Sequence, residues 1–108
     1  MANNFKVHHW SAAAAAGTGT YTCPALTTAI VMQLQAANVG SGTHPVSATV
    51  DDSSASTSEF ISKSVSVPLN AAIGLVAGKQ VLEAGDVLDV YSDAVSQIDV
   101  TVSVLVIS

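Results

Sequence analysis

Few residues in this chain have the chemistry of a site, and their spacing decides what they can do. The soft metal ligands are His8, His9, His44 and Cys23. Adjacent histidines on an extended chain point to opposite faces, so one ion does not readily take both His8 and His9. No CxxC, HxxH or HExxH spacing accompanies them, and exposed histidines without a ligand are the simpler reading. Asp51 and Asp52, followed by Ser53 and Ser54, offer hard oxygen ligands to calcium. The DxDxDG pattern is missing, however, and a solvated turn accounts for the same residues. Cys23 beside Pro24 has the chemistry of a nucleophile, but it shares a strand face with Tyr21 and reads better as a small buried hydrophobe. No GxSxG elbow marks a serine nucleophile. Glu83, Asp86, Asp89 and Asp93 are spread around turns, and no spacing pairs two of them for acid–base work. Gly17 and Gly19 make a hinge and not a phosphate loop, since no third glycine follows at GxGxxG spacing and no Lys-Ser/Thr pair closes a P-loop. The expectation is a non-enzymatic protein with no catalytic residues, no metal and no cofactor.

The composition narrows the field further. At 108 residues the chain has room for one two-layer core. Hydrophobic residues make up 49% and charged residues only 10%. Much of the apolar share is alanine, so the core should be thin. The net charge is −5 and there is no arginine; Lys6, Lys63 and Lys79 are the only lysines. A basic face to neutralise phosphates cannot be built from three lysines, which argues against nucleic acid and against an anionic membrane. One cysteine excludes an intramolecular disulfide. The N-terminal residues do not read as a secretory signal, and no apolar run approaches the ~20 residues of a membrane helix. A surface so low in charge and rich in Ser and Thr suits a subunit that buries area against copies of itself or a partner.

The elements that would position these residues are strands. The clearest is at 98–107, where Ile98, Val100, Val102, Val104 and Val106 alternate with Asp99, Thr101 and Ser103. A helix would scatter those β-branched residues around its circumference; a strand lines them on one face. Before it, 87–92 sets Leu88 and Val90 against Asp89 and Tyr91, and the turn 83–86 carries Gly85 where a positive φ is tolerated. Further strands are expected at 20–23, at 27–39 with Ile30, Met32, Leu34 and Ala36 on one face, at 46–50, at 60–67, more weakly at 70–77, and as a short piece at 81–82. Residues 29–39 also favour a helix by propensity, but the two-residue period prevails. Lys63 falls on the apolar face of its strand, which marks an edge or a snorkelling lysine. A polar loop is expected at 51–58. The fold class is all-β: a single β-sandwich of about eight strands, jelly-roll or immunoglobulin-like, over 18–108. Residues 1–17 are expected as an N-terminal arm or flexible segment, with Phe5, Val7 and Trp10 as anchors if it docks on a neighbour.

Several stretches resemble a group of small virion structural proteins of tailed bacteriophages. They are YTCP at 21–24, AIVMQLQAANV at 29–39, VDDSSAS at 50–56, VPLNAAIGLVAGKQVLEAGD at 67–86 and VSVLVIS at 102–108. The resemblance runs through nearly all of the chain after Thr18 and rests on order and spacing, not on one diagnostic motif. It implies a β-sandwich assembled in many copies on a virion, and it carries no catalytic residue across. The N-terminal HHW and the alanine run depart from the pattern, which leaves open how this chain attaches.

Residues and resemblance together give the expected function: a capsid decoration or cement protein, homo-oligomeric, bound to the major capsid protein or other virion proteins. A neck, tail or fibre-attachment subunit is the alternative within that class. A carbohydrate-binding host-recognition module is the alternative outside it, motivated by Trp10, Tyr91 and the loops at 51–58 and 93–97. The candidate partner contacts are Phe5, Val7 and Trp10, with Leu105 and Ile107, which are apolar on the face where Asp99 and Thr101 are polar.

Overall fold

The structure, a computed structural model, describes residues 3–12, 14, 20–76, 78–94 and 96–108. Nine strands occur among them: β1 (Asn3–Ser11), β2 (Thr20–Thr22), β3 (Thr28–Asn38), β4 (His44–Asp52), β5 (Thr57–Val67), β6 (Ala72–Gly74), β7 (Gln80–Leu82), β8 (Val87–Tyr91) and β9 (Ile98–Ile107). They form two antiparallel sheets packed as a sandwich, in agreement with the expected all-β class. Sheet A runs β1-β9-β3-β6, with β7 also paired to β3; sheet B runs β2-β8-β4-β5.

The strand order resolves the choice that sequence left open. β6 and β7 both pair with β3, at 35–37 and 29–31 respectively, so they are two halves of one interrupted strand. Eight strands then remain. The first pairs with the last, the second with the next to last, the third with the third from last, and the fourth with the fifth. That wrapping is the jelly roll, and the immunoglobulin order is excluded.

The core lies between the sheets. Val31, Leu34, Val100, Val102 and Val104 face it from sheet A; Val46, Ala48, Leu88 and Val90 face it from sheet B, all at 1% exposure or less. The alternation expected on β9 is present: Ile98, Val100, Val102 and Val104 are buried and Asp99 and Thr101 exposed. Burying each such Val or Leu contributes about 1.5–3 kcal/mol. On β8 and β4 the apolar Leu88, Val90, Val46 and Ala48 are buried too, but so are the polar Asp89, Ser47 and Thr49 between them; Cys23 is buried as the sequence suggested. Gly85 has φ 86° in the turn before β8, as expected from its position.

Three expectations are corrected. First, the N-terminal stretch is not a free arm over Asn3–Ser11: it pairs with β9 along its whole length, from Asn3 opposite Ile107 to Ser11 opposite Asp99. The N–H of Ala12 continues the pairing by donating to the Ile98 carbonyl at 2.8 Å. Residues 13 and 15–17 of that stretch, and the glycines at 17 and 19, lie outside the described residues. Second, Ile30 and Met32 do not share the face of Leu34 and Ala36. The pairing with β9 shifts between Val31 and Gln33, so Met32 is the extra residue of a β-bulge. Before the bulge the odd positions Ala29 and Val31 are buried; after it the even positions Leu34, Ala36 and Asn38 are. Ile30 is thereby turned to the outside. Third, the loop expected at 51–58 contracts to a turn at 53–56, because β4 and β5 extend into it.

β5 is an edge of sheet B, as Lys63 suggested. Its register with β4 shifts twice, and Ser64 has φ 50°. Irregularities of this kind bend an edge strand away from further pairing. The Lys63 ammonium lies 5.2 Å from the centre of the Phe60 ring, a cation–π contact on that edge.

Candidate functional site

The outer face of sheet A gathers four of the five residues singled out for partner contact. Directly paired residues in a sheet share a face. Phe5 lies opposite Leu105, Leu105 opposite Ile30, and Ile30 opposite Val81. These four apolar side chains form one row across β1, β9, β3 and β7. Phe5 is 73% exposed, Val7 61% and Val81 53%, while Leu105, Ile30 and Ile107 are half-buried by their neighbours in the row. The two flanking rows are Asn3–Ile107–Thr28 and Val7–Ser103–Gln33. None of these ten side chains is charged. Beside Thr28 and Ile107 of one flanking row, Leu26 stands out at 93% exposure with φ 61°, a left-handed conformation that a leucine adopts only under constraint. The Thr27 hydroxyl supplies part of that constraint by donating to the Pro24 carbonyl at 2.7 Å.

Trp10 does not join this face. It lies opposite Val100, on the inward side of β1, and packs against the core. Its indole nitrogen is buried and has no hydrogen-bond partner among the described residues. His8, also inward, makes a tilted ring contact with Tyr21 at 4.8 Å between centroids, where β1 of one sheet faces β2 of the other.

One end of the sandwich carries an acidic corner built from two turns. Carboxylate oxygens of Asp52, Glu83 and Asp86 lie within 4.8 Å of one another. No spacing along the chain pairs them, because Asp52 ends β4 and the other two lie in the turn before β8. Asp86 is the centre. Its Oδ1 accepts from the Ser53 N–H at 3.0 Å and the Ser53 hydroxyl at 3.2 Å, and its Oδ2 accepts from the Glu83 N–H at 2.9 Å. Asp52 is held below the ordinary carboxylate pKa, first by the Ser54 hydroxyl and then by the Ala55 N–H. Such a group of oxygens suits a hard cation. Its buried member, however, is already occupied by three donors that stitch the two turns together, which is a structural task. A shallow cavity of about 540 Å³ opens beside it, lined by Leu26, Thr28, Glu83, Ala84, Ile107 and others.

The opposite end is tied by amide and imidazole groups. Asn38 is 2% exposed; its side-chain nitrogen donates to the carbonyls of Gly42 and Val67, at 2.7 and 2.9 Å, and its oxygen accepts from the Gly40 N–H at 3.1 Å. It thus links β3 of sheet A to the end of β5 in sheet B. His44 is clamped at both ring nitrogens, with Nδ1 2.7 Å from the Asp93 carboxylate and Nε2 2.8 Å from the Ser41 carbonyl. Two acceptors favour the doubly protonated ring. The hydrogen bond to Asp93 is the main cause that raises the His44 pKa, and the same bond lowers that of Asp93.

The sequence singled out Phe5 and Val7 as apolar anchors of an expected arm, and Leu105 and Ile107 as apolar residues on the polar face of β9. It missed Ile30 and Val81, whose outward position depends on the bulge at Met32 and on the pairing of β7. No protein-family model, no curated protein and no solved structure matches this chain.

Proposed function

We propose that this chain is a non-enzymatic structural subunit of a tailed-phage virion, added in multiple copies as a decoration protein on the capsid surface. The observation that carries the reading is the uncharged apolar row Phe5–Leu105–Ile30–Val81 on the outside of a jelly-roll domain. A monomer that functions alone has no need to hold a Phe and a Val in water on a rigid sheet, and exposed apolar patches of this kind mark interaction surfaces. Jelly rolls are recurrent in capsid and lectin domains, a likeness at the level of fold only. The resemblance of 21–24, 29–39, 50–56, 67–86 and 102–108 to small virion proteins points the same way. A subunit of this kind works by mass action: each copy that binds the assembled shell and not its separated parts shifts the balance towards the shell. Neck, tail or fibre-attachment subunits share the same chemistry and differ in the surface they join. A carbohydrate-recognition role loses its main stacking residue, since Trp10 faces inward and Tyr91 is half-buried.

The test is peptide mass spectrometry of particles purified from cells that carry the encoding genome. The reading predicts the chain in the particle fraction at a copy number comparable to that of other shell components. Its absence from particles, with the chain abundant in the cell, would overturn it. A glycan array that gave strong hits for the purified protein would favour the carbohydrate role instead.

A further inference from the structure

We infer that the outer face of sheet A is the contact between two copies of this chain, packed sheet against sheet across a two-fold axis. The inference rests on the multi-copy reading above and gives that reading its first interface.

The charges confine close packing of a second copy to this face. The chain carries a net −5, so two copies repel each other and meet closely only where no charge has to be desolvated. The apolar row and both flanking rows contain no charged side chain. The acidic residues lie off the row, in the end turns, on sheet B, and at Asp99 at the far end of β9; Glu83 comes nearest, lining a cavity with Thr28 and Ile107 beside one flanking row. A basic partner would be drawn to those regions and not to this row.

The area is of the right order. Covering Phe5, Val7, Val81, Leu26 and the half-exposed Leu105 and Ile107 removes on the order of 500 Å² of apolar surface. With its polar flanking rows the face approaches the ~800 Å² per partner of a standard interface.

The geometry is self-complementary. Sheets stack face to face about 10 Å apart, with their strands nearly aligned. A two-fold axis parallel to the strands lays the row on its own reverse. The bulky Phe5 of one copy then stands over the smaller Val81 of the other, and Leu105 over Ile30. Association by sheet extension through β1 is disfavoured instead. Lys6 sits on the inward side of that edge strand, opposite Val104, and an inward lysine on an edge is a recognised block to edge-to-edge pairing.

Sedimentation velocity on the full chain over a dilution series tests the inference. The wild-type chain is expected to sediment as a dimer that dissociates on dilution. Phe5→Asp and Val81→Asp should each weaken the dimer by at least about thirtyfold, as removal of an interface hot spot does. Both side chains are more than half exposed, so circular dichroism and melting temperature should stay near wild type. Phe60→Asp, on the β5 edge of sheet B, should leave the dimer intact. A wild-type chain that is monomeric at every concentration overturns the inference. So does a dimer that survives both aspartates or is lost in Phe60→Asp, and so does a trimer or larger ring, since face-to-face packing closes at two. A dimer that behaves as expected in a chain absent from virions would sink the virion reading while the interface stands.

Discussion

On the outer face of sheet A, Phe5 and Val81 stand 73% and 53% exposed; on the outer face of sheet B, Ser47, Thr49 and Asp89 are only 5%, 7% and 3% exposed. The apolar groups are bare and the polar groups are covered. On sheet B two of the buried polar side chains, Ser47 and Ser92, have hydrogen-bond partners that explain their burial. The Ser47 hydroxyl accepts the Ser64 N–H at 2.9 Å, across from the irregular edge strand β5, and the Ser92 hydroxyl donates to the Pro45 carbonyl at 2.7 Å. Ala14 comes over this face and lines a cavity of about 240 Å³ with Pro45, Ser47, Ser64, Tyr91 and others. Sheet B is therefore covered in part by the chain itself. Sheet A shows no comparable cover over its apolar row among the described residues. One domain thus carries one face covered by its own residues and one face suited to closure from outside.

The sharpest way to break this comparison uses two neighbours on β9. Val104 is fully buried and Leu105 faces outward beside it. Val104→Asp should cost more than about 4 kcal/mol, enough to unfold a small domain, because it places an unpaired charge in the core. Leu105→Asp should change the stability of the separated chain by less than about 1 kcal/mol. Urea titrations of dilute protein measure both. Comparable losses for the two would mean that the outer face is part of the core.

A smaller effect is expected at the link between the sheets. Asn38→Ala removes the partner of two carbonyls and one N–H at a site that is 2% exposed. The expected loss is about 2–3 kcal/mol in the same titration. Smaller still, Ser47→Ala should cost about 1 kcal/mol, by orphaning the Ser64 N–H on the closed face. Hydrogen exchange should then quicken at Ser64 and leave β1 unchanged.

The gentlest perturbation is pH. The His44 pKa is raised above 6.5, so the contribution of its clamp is complete below that value and is lost as pH rises through the higher folded value. The Asp93 pKa is lowered below 3.8, so its share is present above 3.8 and is lost as pH falls through the lower folded value. Stability from this pair is therefore greatest between about pH 4 and 6.5. His44→Gln should flatten the decline above pH 6.5 in a melting-temperature series. The Asp93 carboxylate is about half exposed, so solvent screens the pair and the effect is small.

Some of this was legible in the sequence, and the reasons differ by residue. β9 could be read because five β-branched residues alternate without interruption. Gly85 could be read because a tight turn before β8 needs a positive φ. Half of β3 was misassigned because a bulge inserts one residue, and nothing in the string IVMQL says that Met32 is the extra one. β1 was missed as a strand of the domain because Lys6 and His8 occupy inward positions. An edge strand tolerates them where the sandwich opens to water, so its alternation is weak. The row Phe5–Leu105–Ile30–Val81 joins residues up to a hundred positions apart; alternation placed Leu105 alone, and the strand order and the bulge make the four neighbours. The acidic corner was hidden for the same reason, since its carboxylates come from separate turns.

The most direct test of the bare face is a covalent trap. Phe5 and Val81 of one chain are three strands apart, about 14 Å, too far for a disulfide within the molecule. Cys23 is buried and does not compete. Facing positions on sheets about 10 Å apart are also beyond a disulfide, so the double variant Phe5→Cys/Val81→Cys, treated with a bis-maleimide that spans about 10 Å, should run as a covalent dimer on denaturing gels, while either single variant should not. A double variant that stays monomeric, or a Phe5→Cys single variant that cross-links just as well, would contradict the proposed packing of one copy on the other.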